Sequence, residues 1–206
     1  GRKAPSDYAS EGDDQVNYSD FLRTKELRAL PAGMKRVPEL SGHLFDHQRD
    51  VVDFLLSAGR GAAFLDTGMG KTAVELEFGK RVVEHTNKPV LMLAPLAVGQ
   101  QHKREADRFG ADAVLARDQS DVKGAAIYIT NYERLHLFDR SKFSGLILDE
   151  SSIIKSFTGK TTKQISEFAT DMQFRLPATA TPAPNDHMEL GQHASFLGVM
   201  KSSEML

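Results

Sequence analysis

The sequence predicts an α/β domain on a mostly parallel sheet with helices on both faces. Three observations carry that prediction. From His43 onward, short aliphatic or β-branched runs alternate with helix-period segments, the pattern of successive βαβ units. Runs such as Val90-Leu91-Met92-Leu93 and Leu146-Ile147-Leu148 are apolar throughout, as strands covered on both faces must be. Composition is that of a globular chain: of 206 residues, 40% are hydrophobic and 26% charged, which disfavours collagen-like, disordered and membrane-spanning architectures.

Taken in order, residues 1–20 are small, polar and turn-rich around Gly12-Asp13-Asp14, with little area to bury. Phe21, Leu22, Leu27 and Leu30 mark a short amphipathic helix that Pro31 and Gly33 end, so 1–40 reads as a flexible or partly helical extension before a domain at 41–206. Strands are expected at 61–65, 90–94, 113–115, 125–130, 146–148 and 174–177, each a short apolar run. Helices are expected at 46–57, 70–85, 97–109, 160–170 and 186–197, where the apolar residues recur at helical spacing.

The absence of cysteine excludes disulfides, a thiol nucleophile and thiolate metal sites, leaving oxygen or histidine to hold any metal. The net charge of −2 lacks the excess of a small DNA-coating protein, so nucleic acid would have to be met in a local groove. No run approaches a bilayer span and Gly1 opens no signal peptide, which points to a cytoplasmic chain; the missing initiator Met suggests a trimmed one.

One expected strand runs into Asp66-Thr67-Gly68-Met69-Gly70-Lys71-Thr72 and then into the helical pattern Ala73, Val74, Leu76, Phe78. Strand, glycine loop and helix are the context of a P-loop: glycines turn backbone N–H groups toward phosphate oxygens, and the helix N-terminus adds partial positive charge. Lys71 would reach the β- and γ-phosphates of ATP, and the Thr72 hydroxyl would bind Mg²⁺. Leu65 replaces the usual first glycine. Farther on, Leu146-Ile147-Leu148 delivers Asp149 and Glu150 at a strand's carboxyl end, the edge where ligands bind in such sheets. Asp149 can hold Mg²⁺, through water, and Glu150 can take a proton from the attacking water. A GTPase reading lacks its guanine reader, since Asn87-Lys88-Pro89-Val90 has no aspartate, and a small-molecule kinase reading lacks an arginine-rich lid.

Gln48, the phosphate loop, Ala94-Pro95-Leu96, Thr130-Asn131-Tyr132-Glu133, Asp149-Glu150-Ser151-Ser152 and Thr179-Ala180-Thr181-Pro182 stand in the order of the superfamily 2 helicase motifs. From Leu44 to Leu206 the chain resembles the first RecA-like lobe of a Swi/Snf-type helicase or translocase, most of all the compact phage and prophage members. The resemblance implies that Gln48 reads adenine, that Thr67, Gly68, Met69, Gly70, Lys71 and Thr72 bind ATP, and that Lys71, Asp149 and Glu150 serve catalysis with Mg²⁺. It further implies that Thr179 and Thr181 link nucleotide state to the nucleic-acid groove, and that Pro95, Leu96, Thr130, Asn131 and Tyr132 touch one DNA strand. Asn131 reads equally as a helix N-cap.

Ser151-Ser152 departs from the Ala-His or Ala-Asp of many relatives, and His102 lies near where an aromatic residue often follows the Pro95 loop. His43 and His47 share helical spacing but read as ordinary histidines. Lys155, Lys160 and Lys163 suit either a phosphate backbone or a solvated face, and Met188, Leu190, Phe196 and Leu197 suit the packing of a terminal helix. The expected activity is ATP hydrolysis driving movement on DNA by a monomeric lobe. It should be weak alone, because a missing second lobe withholds an arginine finger worth ~10³ to 10⁵ in rate. A non-hydrolysing nucleotide-binding scaffold and the motor subunit of a restriction-modification system are the alternatives.

Overall fold

The computed structural model describes residues 33–152, 159–181 and 188–198. Within them, helices α1 (Asp46–Ala58), α2 (Lys71–Thr86), α3 (Gly99–Phe109), α4 (Gly159–Ala169) and α5 (Met188–Leu197) surround strands β1 (Ala63–Phe64), β2 (Val90–Leu93), β3 (Ala113–Leu115), β4 (Ile127–Thr130), β5 (Gly145–Asp149) and β6 (Phe174–Thr179). The strands form one sheet in the order β1-β6-β5-β2-β4-β3, and every pairing is parallel. The sheet is thus wholly parallel where a mostly parallel one was expected.

Two cores explain the unbroken apolar strands. Val90, Met92, Ile127, Ile129 and Ile147 pack under α1 and α2, whereas Leu91, Leu93, Tyr128, Leu146 and Leu148 face α4, α5 and the 3₁₀ turns. Successive residues serve opposite faces, so a strand buried on both sides has no polar position. Helix α2 lies so close to the sheet that a Cβ on Gly79 would come 2.9 Å from Ile127 Cδ1 and 3.1 Å from Ile147 Cδ1, so a larger residue there requires those side-chain ends to shift.

Several boundaries differ from expectation. Strand β1 is shorter than 61–65, although Gly61 N–H to Arg175 O and Leu65 N–H to Thr179 O continue its contact with β6. Strands β5 and β6 run farther, to Asp149 and Thr179, because each is held by neighbours on both sides. Three 3₁₀ turns at 119–121, 132–137 and 140–142 went unforeseen, each opened by the carboxyl or amide of Asp118, Asn131 or Asp139 accepting a backbone N–H. Within the expected extension, Met34 is buried and donates its N–H to Leu56 O at 2.8 Å, and Val37 and Leu40 pack against the core. Residues 1–32, including the expected helix at 21–30, and Lys155 lie outside the described residues.

Candidate active site

Because all strands are parallel, the carboxyl ends of β1, β5 and β6 share one edge. Strand β6 sits between the other two, with Phe64 in register with Thr179 and Asp149 with Ala178. The phosphate loop follows β1, the two acids end β5, and Thr179 ends β6 between them.

Gly68 and Gly70 adopt φ of +86° and +78°, the left-handed region that lets the loop turn its amides inward before α2 starts at Lys71. Leu65, at the position of the missing first glycine, packs into the core beneath α1 and α2. Gln48 braces the loop: its Nε2 donates to Met69 O at 3.0 Å and its Oε1 accepts Phe45 N–H at 3.1 Å. A Cβ at Gly70 would lie 2.1 Å from Gln48 Nε2. One N–H and one lone pair of the amide remain for a base edge. Gln48, Thr67, Gly68, Lys71, Thr72 and Glu150 line a cavity of about 660 Å³, a size suited to a cofactor-sized ligand.

Lys71 Nζ lies 3.0 Å from Asp149 Oδ1 and 2.8 Å from Glu150 Oε2. Burial opposes the lysine charge, but the two carboxylates outweigh it and hold the pKa above its ordinary value. Burial likewise opposes ionisation of Glu150, and Lys71 and Thr179 prevail, keeping its carboxyl below the ordinary range. Thr179 Oγ1 donates to Glu150 Oε1 at 2.9 Å, Ser152 Oγ donates to the same oxygen at 3.1 Å, and Thr181 N–H closes back on Thr179 Oγ1 at 3.1 Å. Glu150 itself has φ of +52°, a strained conformation for a residue with a side chain and one that occurs at functional sites.

Asp149 is gripped from behind. Tyr132, expected at a DNA strand, is buried here, and its hydroxyl donates to Asp149 O at 2.6 Å. His102 Nε2 lies 3.1 Å from Asp149 Oδ2 and 3.8 Å from Glu75 Oε2. Burial acts against the imidazolium, yet the two carboxylates raise His102 to about 10; burial raises Glu75 to about 8. Burial would also raise Asp149, but His102 and Lys71 hold it below its ordinary value. Glu75 and His102 were missed as site residues. Their signal was a glutamate inside the apolar run Ala73, Val74, Leu76, Phe78, and a histidine four residues before Ala106 on an otherwise polar helix.

The remaining expectations divide. Leu96 is 80% exposed, and Thr130 and Asn131 line a smaller cleft of about 290 Å³ at the ends of β2 and β4 with Arg117 and Arg134, two cations the sequence had not singled out. Asn131 Oδ1 accepts Arg134 N–H at 3.2 Å, the N-cap role. His43 stacks on Phe109 with ring centroids 4.5 Å apart, and His47 stacks beside Phe45. Phe196 and Leu197 pack on the core as expected, while the side chains of Lys160, Met188 and Leu190 lie outside the described residues. Among the described residues no helix is long and apolar enough to cross a membrane.

Residues 41–184 match the family described as type III restriction enzyme, res subunit. The chain belongs to this family. Solved structures similar to this res-family chain include the Sulfolobus solfataricus SWI2/SNF2 ATPase core in complex with dsDNA, at TM-score 0.67 and 21% identity over 82% of this chain and 40% of that one. The UvsW helicase of bacteriophage T4 aligns at TM-score 0.62 and 16% identity over 91% and 67%, and the Pyrococcus furiosus Hef helicase domain at 0.58 and 16% over 74% and 36%. The res-family chain thus has the fold of a RecA-like helicase ATPase lobe and spans 40% of the SWI2/SNF2 core. A search of curated proteins finds no match.

Proposed function

We propose that the chain is the first ATP-binding lobe of a DNA-stimulated motor of the Swi/Snf-like branch, akin to phage helicases, acting with a second lobe in the cytoplasm. The observation that carries this reading is the convergence of Lys71, Asp149, Glu150 and Thr179 at one sheet edge, where β1, the first strand of the chain, ends beside β6 and β5, the last two. The two oxygens of Glu150 do different work. Oε2 meets Lys71 and Oε1 is held by Thr179 and Ser152. The β- and γ-phosphates of ATP compete for the Lys71 ammonium, which frees Oε2 while Oε1 keeps the carboxylate aimed. Water oxygen then bonds to the γ-phosphorus as its bond to the ADP oxygen breaks, and Glu150 takes the water proton. The backbone amides of the loop and the N-terminus of α2 hold the phosphate charge.

The donor set suits Mg²⁺: Asp149 Oδ1 is buried and faces the Lys71 ammonium at 3.0 Å, the charge of a cation, and Thr72 stands at the start of α2 on the cavity wall. Asp149, through water, and the Thr72 hydroxyl would hold the ion, which supplies charge neutralisation on the phosphates when bound. Pro95, Leu96, Thr130 and Asn131, with Arg117 and Arg134, would meet the sugar-phosphate backbone in a groove shared with the second lobe.

Calorimetry on this chain should show Mg-ATP binding that Lys71→Ala removes; unchanged affinity would refute the phosphate-loop assignment. In a protein carrying the second lobe, DNA should stimulate turnover and Glu150→Gln should lower kcat by roughly 10² to 10⁴. No stimulation by single- or double-stranded DNA would refute the motor. Arg117→Ala and Arg134→Ala should each weaken DNA binding at all sequences and reduce its salt slope by about 1. The family assignment also favours a second reading, the motor of a restriction system, with the same chemistry and a nuclease partner. DNA cleavage dependent on ATP in the complete protein would distinguish it.

A further inference from the structure

Behind the phosphate loop lies a buried cluster that shares Asp149 with the nucleotide cavity's edge and adds two side chains from outside it. Glu75 from α2, His102 from α3 and Asp149 from β5 are all buried, and their ligand atoms lie within 4.8 Å of one another. Both oxygens of Glu75 lack a hydrogen bond. A carboxylate placed inside an apolar helix face costs several kcal/mol unless something charged meets it. His102 is the group that meets it, and its protonation follows from its neighbours. Nδ1 lies 2.9 Å from Val98 O, which can only accept, so Nδ1 carries a hydrogen. Nε2 lies 3.1 Å from Asp149 Oδ2, a carboxylate acceptor, so it too carries one, with Glu75 Oε2 behind it at 3.8 Å.

We infer that His102 is a positioning residue for Asp149. Anchored at Val98 O and backed by Glu75, it ties up Oδ2 of the aspartate and leaves Oδ1 turned toward Lys71 and the nucleotide cavity. Tyr132 fixes the backbone of the same residue through Asp149 O, so carboxylate and main chain are held from two elements that follow different strands. This division of oxygens resembles the way outer partners orient a metal-associated carboxylate, where their loss costs 10- to 100-fold in metal affinity. The inference rests on the reading that Asp149 attends Mg²⁺.

The test measures binding of a fluorescent ATP analogue to the 206-residue chain, titrated with Mg²⁺ and repeated in EDTA. The double variant His102→Leu with Glu75→Leu removes the histidine without stranding the buried glutamate. It should bind nucleotide in EDTA like the wild type, but need about tenfold more Mg²⁺ for half-maximal enhancement. His102→Gln restores a donor near the position of Nε2 and should stay within about threefold of the wild type. His102→Phe with Glu75→Gln gives a second form of the removal should the first not fold, folding being checked by circular dichroism. A Mg²⁺ requirement within twofold of wild type in a folded removal variant overturns the inference, as does loss of nucleotide affinity in EDTA to the same degree as with Mg²⁺, which marks a purely structural role. Asp149→Asn is the separate control. If it keeps the full Mg²⁺ enhancement, the underlying reading of Asp149 fails; if it loses the enhancement while the removal variants do not, only the role of His102 fails.

Discussion

Helix α2 carries two buried glutamates, two residues apart, that live in opposite worlds. Glu77 accepts Ser41 N–H at 2.9 Å and Arg81 Nε at 2.8 Å, and these partners outweigh burial and hold its carboxyl below the ordinary value. Glu75 is buried as deeply, makes no hydrogen bond, and is pushed up to about 8 by burial despite His102. Neighbouring side chains on a helix point about 100° apart per residue, so positions two apart meet different surroundings. Glu77 ties α2 to the segment before α1, a structural duty. Glu75 faces His102 and, beyond it, the back of Asp149.

The largest contrast is in stability. Glu77→Gln leaves the Arg81 guanidinium without its buried partner and should cost about 3 kcal/mol in urea unfolding. Glu75→Gln replaces a carboxyl that burial pushes up to about 8 and that makes no hydrogen bond, and should cost about 1 kcal/mol or less. Equal losses would erase the distinction. A smaller effect lies in pH. The folded state depresses Glu77, so its contribution is complete above the ordinary value of 4.5 and is lost as pH falls through the folded value. Glu75 is raised from 4.5 to about 8 and His102 from 6.5 to about 10, so the folded state holds their protons more tightly and stability falls as pH climbs through those ranges. Asp149, Lys71 and Tyr132 face the same pair. Unfolding measured from pH 4 to 10 should therefore show Glu77→Gln flattening the acid limb and Glu75→Gln the alkaline limb; the reverse assignment would break the comparison. The smallest effect belongs to Glu84, whose exposed pair with Arg81 spans 2.8 Å: Glu84→Gln should cost about 0.3 kcal/mol and disappear in high salt.

Much of the lobe was legible residue by residue. The runs at Val90 and Leu146 are apolar because both faces of the sheet are covered, and that demand is written into each strand. Lys71, Thr72, Asp149 and Glu150 could be singled out in the sequence because a local pattern marks each: a glycine loop before a helix, and two acids at the end of an apolar run. Tyr132 carries no sign in the sequence of the bond it makes: its hydroxyl reaches Asp149 O, 17 residues on, from the start of the 3₁₀ turn after β4. Arg117 and Arg134 carry no pattern of their own and become neighbours through the pairing of β3 with β4.

By itself, the sequence determined the α/β class, the phosphate loop and the acid pair, because each depends on residues adjacent in the chain: glycines that permit positive φ, a lysine at a helix start, carboxylates at a strand end. Tertiary structure alone decided that β6 lies between β1 and β5, which brings Thr179 onto Glu150, and that α2, α3 and β5 meet at Glu75, His102 and Asp149. Strand order and helix packing are set by how whole faces bury together, and no single segment carries that information.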